Sequence, residues 1–162
     1  MTATAIALRP FMEADAPALL AFYNGLSPAS IRTFRPLGRS TTLDACKKIV
    51  LDTTAPAAAR YDLGAWRGDA LIGWGFVTGL DAGRPDLGLA VADAWQGQGI
   101  GKALIDGVLA HVRARGLPRA YLIAVKDNAR AIGLYSSRGF VQYGEMIGDW
   151  DGLPYVQMVV EF

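Results

Sequence analysis

Hydrophobic residues recur along this chain with two periods, and each change of period marks a new element. Projected at 100° per residue, Leu104, Ile105, Val108, Leu109 and Val112 share one apolar arc with Lys102, Asp106 and Arg113 opposite, which predicts an amphipathic helix. Helices are also predicted through Pro17, Leu19, Leu20 and Phe22 to a stop near Gly25, over Ser30 to Leu37, and over Thr42 to Leu51. Strands are predicted over Thr4 to Leu8, Arg60 to Trp66, Ala70 to Leu80, Leu87 to Val91, Arg119 to Val125, Val141 to Tyr143 and Tyr155 to Phe162. The second and third of these form a hairpin around Arg67-Gly68-Asp69. Strict alternation along the Ala70 strand sets Leu71 and Val77 on one side and Ile72, Trp74 and Phe76 on the other. A sheet apolar on both faces must be covered on both. In the last strand Val156, Met158, Val160 and Phe162 alternate with Gln157 and Glu161, the pattern of a half-exposed strand.

Composition narrows the class without naming it. A chain of 162 residues with 52% hydrophobic content and no repeat or long linker reads as one domain, residues 1–162, able to bury a core. Its net charge of +1 provides no field for nucleic acid or a membrane surface. The start, M-T-A-T-A-I-A-L-R-P, lacks a basic segment followed by a long apolar run, and no stretch reaches the ~20 apolar residues of a membrane span. The expectation is therefore a soluble, cytoplasmic protein. The single cysteine, Cys46, is expected as a buried small apolar residue, and the single histidine, His111, as a helix-edge residue. With one of each, a metal cluster or a histidine triad is not expected.

The candidate chemistry lies between the Leu87 strand and the helix after it, where the chain reads W-Q-G-Q-G-I-G-K-A-L from Trp95 to Leu104. Gly97, Gly99 and Gly101 let the backbone approach a ligand closely, and a helix beginning there directs free amides and its positive dipole end at an anion. A glycine-rich turn that binds nothing is the alternative. Gly101 falls near the middle of the apolar arc, so it is expected to let the helix lie against a sheet, leaving Gln98, Gly99 and the neighbouring amides for the ligand. A P-loop requires a glycine five places before the Gly-Lys pair and a hydroxyl residue after it, where Gln96 and Ala103 stand. The dinucleotide fingerprint fails as well, because its third glycine would fall on Lys102 or Leu104.

What remains, Gln96-x-x-Gly99-x-Gly101, resembles the pyrophosphate-binding signature of the GCN5-related N-acetyltransferases, which transfer acetyl from acetyl-CoA to amines. A second segment, N-A-R-A-I-G-L-Y-S-S-R-G-F from Asn128 to Phe140, resembles that family's other cofactor segment. Asn128 and Tyr135 are seven residues apart, two helical turns, so both can reach one ligand from one side, and Gly139 supplies a stop. The order of elements is similar to that family's fold over nearly the whole chain.

The resemblance implies an α/β (α+β) acyltransferase fold, a mixed central sheet flanked by helices on both faces, with its fourth and fifth strands, Leu87 to Val91 and Arg119 to Val125, parallel and splayed. The gap would receive the pantetheine arm of acetyl-CoA as if it were a strand. Implied cofactor-binding residues are Leu89, Val91, Gln96, Gly97, Gln98, Gly99, Ile100, Gly101, Lys102, Asn128 and Tyr135. Tyr135 matches the general acid for the leaving sulfur, and a backbone amide of Leu89 or Val91 would hydrogen-bond the acetyl carbonyl. The implied reaction is direct attack of a primary amine in a ternary complex. An amine of pKa ~10.4 must first lose a proton, and Asp86 is the first choice of base, with Glu145, Asp149 and Asp151 as rivals. Lys126 also lies near the expected phosphates. The acceptor pocket is expected from Tyr23, the first two helices and the loop around Trp150. Ser27 to Leu37 faintly resembles an acceptor-side segment of some protein-lysine acetyltransferases. A small-molecule amine, a protein lysine or N-terminus, an acetyl-CoA-binding module without turnover, and a homodimer all stay open.

Overall fold

The computed structural model describes residues 5–162. Its strands are β1 (Ile6–Pro10), β2 (Tyr61–Arg67), β3 (Ala70–Thr78), β4 (Asp86–Val91), β5 (Arg119–Val125), β6 (Val141–Ile147) and β7 (Pro154–Glu161). Its helices are α1 (Ala16–Asn24), α2 (Pro28–Thr33), α3 (Leu43–Thr54), α4 (Ile100–Ala114) and α5 (Ala129–Ser137). The strands form one sheet in the order β1-β2-β3-β4-β5-β7-β6, with β4 and β5 parallel and every other neighbouring pair antiparallel. The first strand begins later than its pattern suggests, and Thr4 lies outside the described residues. Among the described residues no helix is long and apolar enough to cross a membrane.

Two cores flank the sheet, and they differ in kind. One joins α4 and α5 to the sheet through aliphatic side chains, with Leu104, Val108 and Val112 lying against Ile72, Val77, Leu122 and Met158. All five residues of the apolar arc on α4 are buried. The helix approaches β3 closely because Gly73 and Gly75 face it: a Cβ on Gly73 would stand 2.9 Å from Leu104 Cδ1, and one on Gly75 3.2 Å from Val108 Cγ2. Gly101 does not carry that packing, since a Cβ there would meet only Leu134, at 3.4 Å, and Leu89 and Val91 farther off. The second core packs α1 and α3 on the opposite face around Phe11, Phe22, Phe34, Trp66 and Trp74. Here Trp74 donates to the fully buried Asp62 at 2.9 Å, whose carboxylate also accepts two 2.7 Å bonds from Arg60. Cys46 is buried in this core.

The structure departs from the sequence pattern in β3 and in α2. A register shift in the β2–β3 pairing sets Trp66 opposite Leu71 and Ala65 opposite Gly73, leaving Ile72 as the extra residue of a bulge. Side-chain parity flips there, so Leu71 joins Trp74 in the aromatic core while Ile72 joins Val77 in the aliphatic one. The helix predicted over Ser30 to Leu37 instead runs Pro28–Thr33, with Ser27 as N-cap accepting from Ser30 N at 3.2 Å and Pro28 in the first turn. Pro36 disfavours helical backbone at Arg35, and the chain leaves the helix at Phe34.

Candidate active site

Between β4 and β5 the sheet opens. The two strands share a single register pair, Asp86 with Tyr121, and a bond from Tyr121 N to Pro85 O at 2.8 Å. Beyond that point each strand keeps its outer partner, β3 or β7, while the facing edges separate. Ala92 N bonds to Ile72 O, which turns the amides and carbonyls of the odd-numbered residues, Leu87, Leu89 and Val91, toward the gap. The same parity on β5 turns Ile123 toward it. Unpaired strand edges inside a fold are anomalous unless something pairs with them.

A cleft of about 810 Å³ occupies the opening. Leu89, Val91, Ile123 and Ala124 line its floor, α5 lines one wall through Asn128, Leu134 and Tyr135, and α2 crosses it through Ala29, Ser30 and Thr33. At the mouth stands the glycine-rich loop between the turn at Asp93–Trp95 and α4. Gly97 and Gly99 have φ of +79° and +83°, where an L side chain is strained, so the N-terminus of α4 can turn sharply into the cleft. Gly99 is the N-cap of α4, and the amides of Ile100, Gly101 and Lys102 begin the helix with no acceptor four residues back.

The structure brings most of the sequence-nominated residues into this cleft: Leu89, Val91, Gln96, Gly97, Gly99, Ile100, Gly101, Lys102, Asn128 and Tyr135 all line it. Gln98 lies in the same loop but outside the lining. Gln96 turns inward, donating to Val91 O at 3.0 Å and Ser30 Oγ at 3.3 Å, so it braces the loop against β4 and α2. Asn128 is the N-cap of α5 and accepts from Ala131 N at 3.3 Å, which fixes the start of the helix that carries Tyr135. Tyr135 packs against Phe140, and burial pushes its phenol up to about 12. The sequence reading missed Arg130, whose Nη2 lies 3.4 Å from where a Cβ on Gly97 would stand, a guanidinium over the glycine loop. Nothing in the letters around Arg130 marks it, since a lone arginine on a helix reads as a solvated charge.

Asp86 is not brought into the lining. It stands at the closed end of the gap, five residues or about 16 Å along the strand from Val91. Partial desolvation raises its pKa, opposed by Arg84 at 3.9 Å. Of its rivals, Glu145 pairs with Lys126 at 3.0 Å, which lowers its pKa and takes Lys126 away from the cleft. Asp151 accepts from the Tyr155 hydroxyl and from Leu153 N, and its pKa is lowered. Tyr23, expected in an acceptor pocket, is fully buried instead: its hydroxyl anchors the Leu37–Gly38 loop, and it does not line the cleft. His111 stacks on Tyr61 at 3.8 Å, far from the cleft lining, and burial lowers its pKa.

The position of α2 depends on both sides of the gap. Asp93, before the glycine loop, accepts from Ser27 N at 3.0 Å, Ser27 Oγ at 2.6 Å and Ser30 Oγ at 2.8 Å. Arg32 reaches the other side and pairs with Asp127, next to Asn128, through two 2.9 Å bonds.

A family model described as the acetyltransferase (GNAT) family matches residues 29–140, which contain the glycine loop, both edges of the gap and Tyr135. The chain belongs to the GNAT family. Among solved structures, an acetyltransferase of the GNAT family from Streptococcus pneumoniae superimposes with a TM-score of 0.81 at 19% identity, covering 98% of this chain and 99% of its own. Spermidine N-acetyltransferase from Vibrio cholerae, solved in complex with CoA and spermine, gives 0.79 at 17% identity over 96% and 95%. In sequence, the chain is 39% identical over 83 residues to mycothiol acetyltransferase of Streptomyces scabiei, a stretch covering 49% of this chain and 26% of that protein. The chain thus spans about a quarter of the length of this curated relative. The GNAT fold expected from the two motifs is the fold observed, including the parallel β4–β5 pair.

Proposed function

We propose that this GNAT protein transfers acetyl from acetyl-CoA to a primary amine by direct attack within a ternary complex. One observation carries the reading: an open strand gap, a positive-φ glycine loop at a helix start and a buried tyrosine converge on one cleft. The cleft suits such a cosubstrate from end to end. Amides at the start of α4 and the Arg130 guanidinium supply donors for phosphate oxygens, with Lys102 at the rim. Backbone groups of Leu89, Val91 and Ile123 supply strand-like partners for the pantetheine amides. Bound there, acetyl-CoA supplies an activated thioester. In the transfer a C–N bond forms and the C–S bond breaks, while one proton leaves the amine and one reaches the departing sulfur.

Tyr135, with a pKa pushed up to about 12, keeps its proton at any working pH and serves as the donor to the sulfur. Asp86 is the base in this reading, acting through water from the closed end of the gap. Its pKa is raised by desolvation, toward the range a base needs, whereas those of Glu145 and Asp151 are lowered. Asp86 lies on the sheet face opposite that of Leu87, a residue of the aliphatic core shared with Tyr135, so the two proton transfers fall on opposite sides of the gap. The test is calorimetric titration with acetyl-CoA against NAD, followed by an amine screen with thiol detection. Micromolar binding of acetyl-CoA with thiol release supports the reading. Binding without release from any amine reduces it to a binding module, and no binding by folded protein removes it.

A further inference from the structure

A second cavity, of about 740 Å³, lies behind α2 between its outward face and the β6–β7 loop. The helix is a shared wall: Ala29, Ser30 and Thr33 face the cofactor cleft, whereas Arg32, Arg35 and the following Arg39 line the second cavity with Asp149, Trp150 and Asp151 opposite. These charges are not equally available. Arg32 is engaged by Asp127, and both oxygens of Asp151 are occupied, one by the Tyr155 hydroxyl and one by Leu153 N. Arg35 is held by a 3.0 Å bond from its Nε to Ile31 O, which fixes its plane and leaves its two Nη groups with no hydrogen-bond partner among the described residues. Arg39 makes no side-chain hydrogen bond or ion pair among the described residues, and the same is true of Asp149. Trp150 is 52% exposed, and its Nε1 donates to the Tyr155 hydroxyl at 3.2 Å, so its ring is fixed while open to the cavity.

Free donors therefore outnumber free acceptors, and the best placed is a guanidinium with a fixed plane and an open edge. That is the geometry that grips a carboxylate or phosphate with two parallel bonds. A fixed, half-exposed indole beside it offers a flat apolar contact. We propose that this cavity selects the acceptor, and that the acceptor is an amine carrying an anionic group, carboxylate or phosphate, held by Arg35 and Arg39 with its body against Trp150. The inference rests on the transferase reading above and adds the substrate class. A polycation would meet the Arg35 and Arg39 guanidiniums there, with Asp149 as the one lining carboxylate that has no hydrogen-bond partner among the described residues.

The test compares amines that differ only in the anion: L-phenylalanine with phenethylamine, and O-phosphoethanolamine with ethanolamine, with spermidine as the polycation. The anionic member of at least one pair should have a kcat/KM about tenfold higher, mostly through KM, the size expected of one charge-assisted bidentate contact. Arg35→Gln should bring that ratio to near unity with acetyl-CoA affinity unchanged. Arg39→Gln, at an exposed loop position, provides a partial loss of preference in a variant whose fold is not in question. Equal or better turnover of the neutral-bodied amines in both pairs, or of spermidine over all, overturns the proposal. Should no amine be turned over, the CoA-loaded protein is titrated with N-acetyl-L-phenylalanine and N-acetylphenethylamine. Tighter binding of the acid that depends on Arg35 upholds the subsite even though the transferase reading fails, whereas equal or absent binding of the acid overturns it.

Discussion

The two faces of the sheet are built from different materials. On the α4 face, aliphatic side chains pack against a glycine-bearing strand, and the cleft beside them presents mostly backbone: the edges of β4 and β5 and the amides at the start of α4. On the α1–α3 face, aromatic rings surround a buried Asp62–Arg60–Trp74 network, and the second cavity presents long side chains from two loops and a short helix. A site made of backbone leaves its mark in the sequence, because only glycine tolerates the required φ and only certain residues cap the helices. A site made of side chains from distant segments leaves no such local mark.

Substitutions on either side test that contrast. The largest expected effect is on stability of the α4 face, where Leu104→Ala removes a fully buried side chain and should lower the free energy of unfolding by about 2–5 kcal/mol in a denaturant titration. A loss below 1 kcal/mol would mean that this core is looser than its packing indicates.

Gly99→Val separates binding from folding. Nothing stands within 4 Å of a Cβ there, so the damage to the fold is limited to backbone strain at φ +83°, about 1–3 kcal/mol. Displacing several amide donors from the cleft should weaken acetyl-CoA binding by about 100-fold. Full affinity measured by calorimetry would place the phosphate site elsewhere.

Tyr135→Phe and Asp86→Asn form a pair across the gap. The first should lower kcat by about 100-fold with cofactor affinity intact, and the wild type should show no tyrosine inflection below pH ~10 because that proton is held to about 12. For Asp86 the active form of a base is deprotonated and its pKa is raised. Activity is therefore present above that pKa and falls as pH falls through it, and Asp86→Asn should lower the rate and remove the acidic limb. An unchanged limb would exclude Asp86 as the base.

A smaller effect is expected in the aromatic core. Trp74→Phe keeps a ring but removes one donor from a fully buried carboxylate that retains Arg60, so unfolding should become easier by about 1–3 kcal/mol with acetyl-CoA binding unaffected. The smallest is Gly101→Ala. Its methyl would meet Leu134 at 3.4 Å, and alanine favours a helix, so stability should stay within about 1 kcal/mol of wild type. A collapse of the fold would restore Gly101 to the packing role that the helical projection suggested.

The sheet and most helices were legible because burial on one face imposes a period that the sequence must carry. Legibility failed where a local device broke the period. The bulge at Ile72 swaps it and Leu71 between cores, and nothing in the alternation of Leu71 to Phe76 signals the extra residue. The start of α2 was readable in Ser27-Pro28 but lost to the apolar positions farther along. In the cleft, ten of the twelve nominated residues converge, eight because two motifs encode them and Leu89 and Val91 because the strand before the glycine loop carries them, while Asp86 and Gln98 fall outside the lining. Arg130 was overlooked because a lone arginine on a helix reads as a solvated charge until it is seen above Gly97.

By itself the sequence determined what depends on neighbours along the chain. The glycine loop, the caps of α4 and α5, the apolar arc of Leu104 to Val112 and the stop at Gly139 are all set by dihedral preference and helical period. Only the tertiary structure decided what depends on the meeting of distant segments. The parting of β4 from β5 after a single pair, the span of α2 across that gap from Asp93 to Arg32 and Asp127, and the gathering of Arg35, Arg39 and Trp150 each join residues from separate parts of the chain. No local propensity encodes such a junction, because its energy exists only once the sheet has brought the segments together.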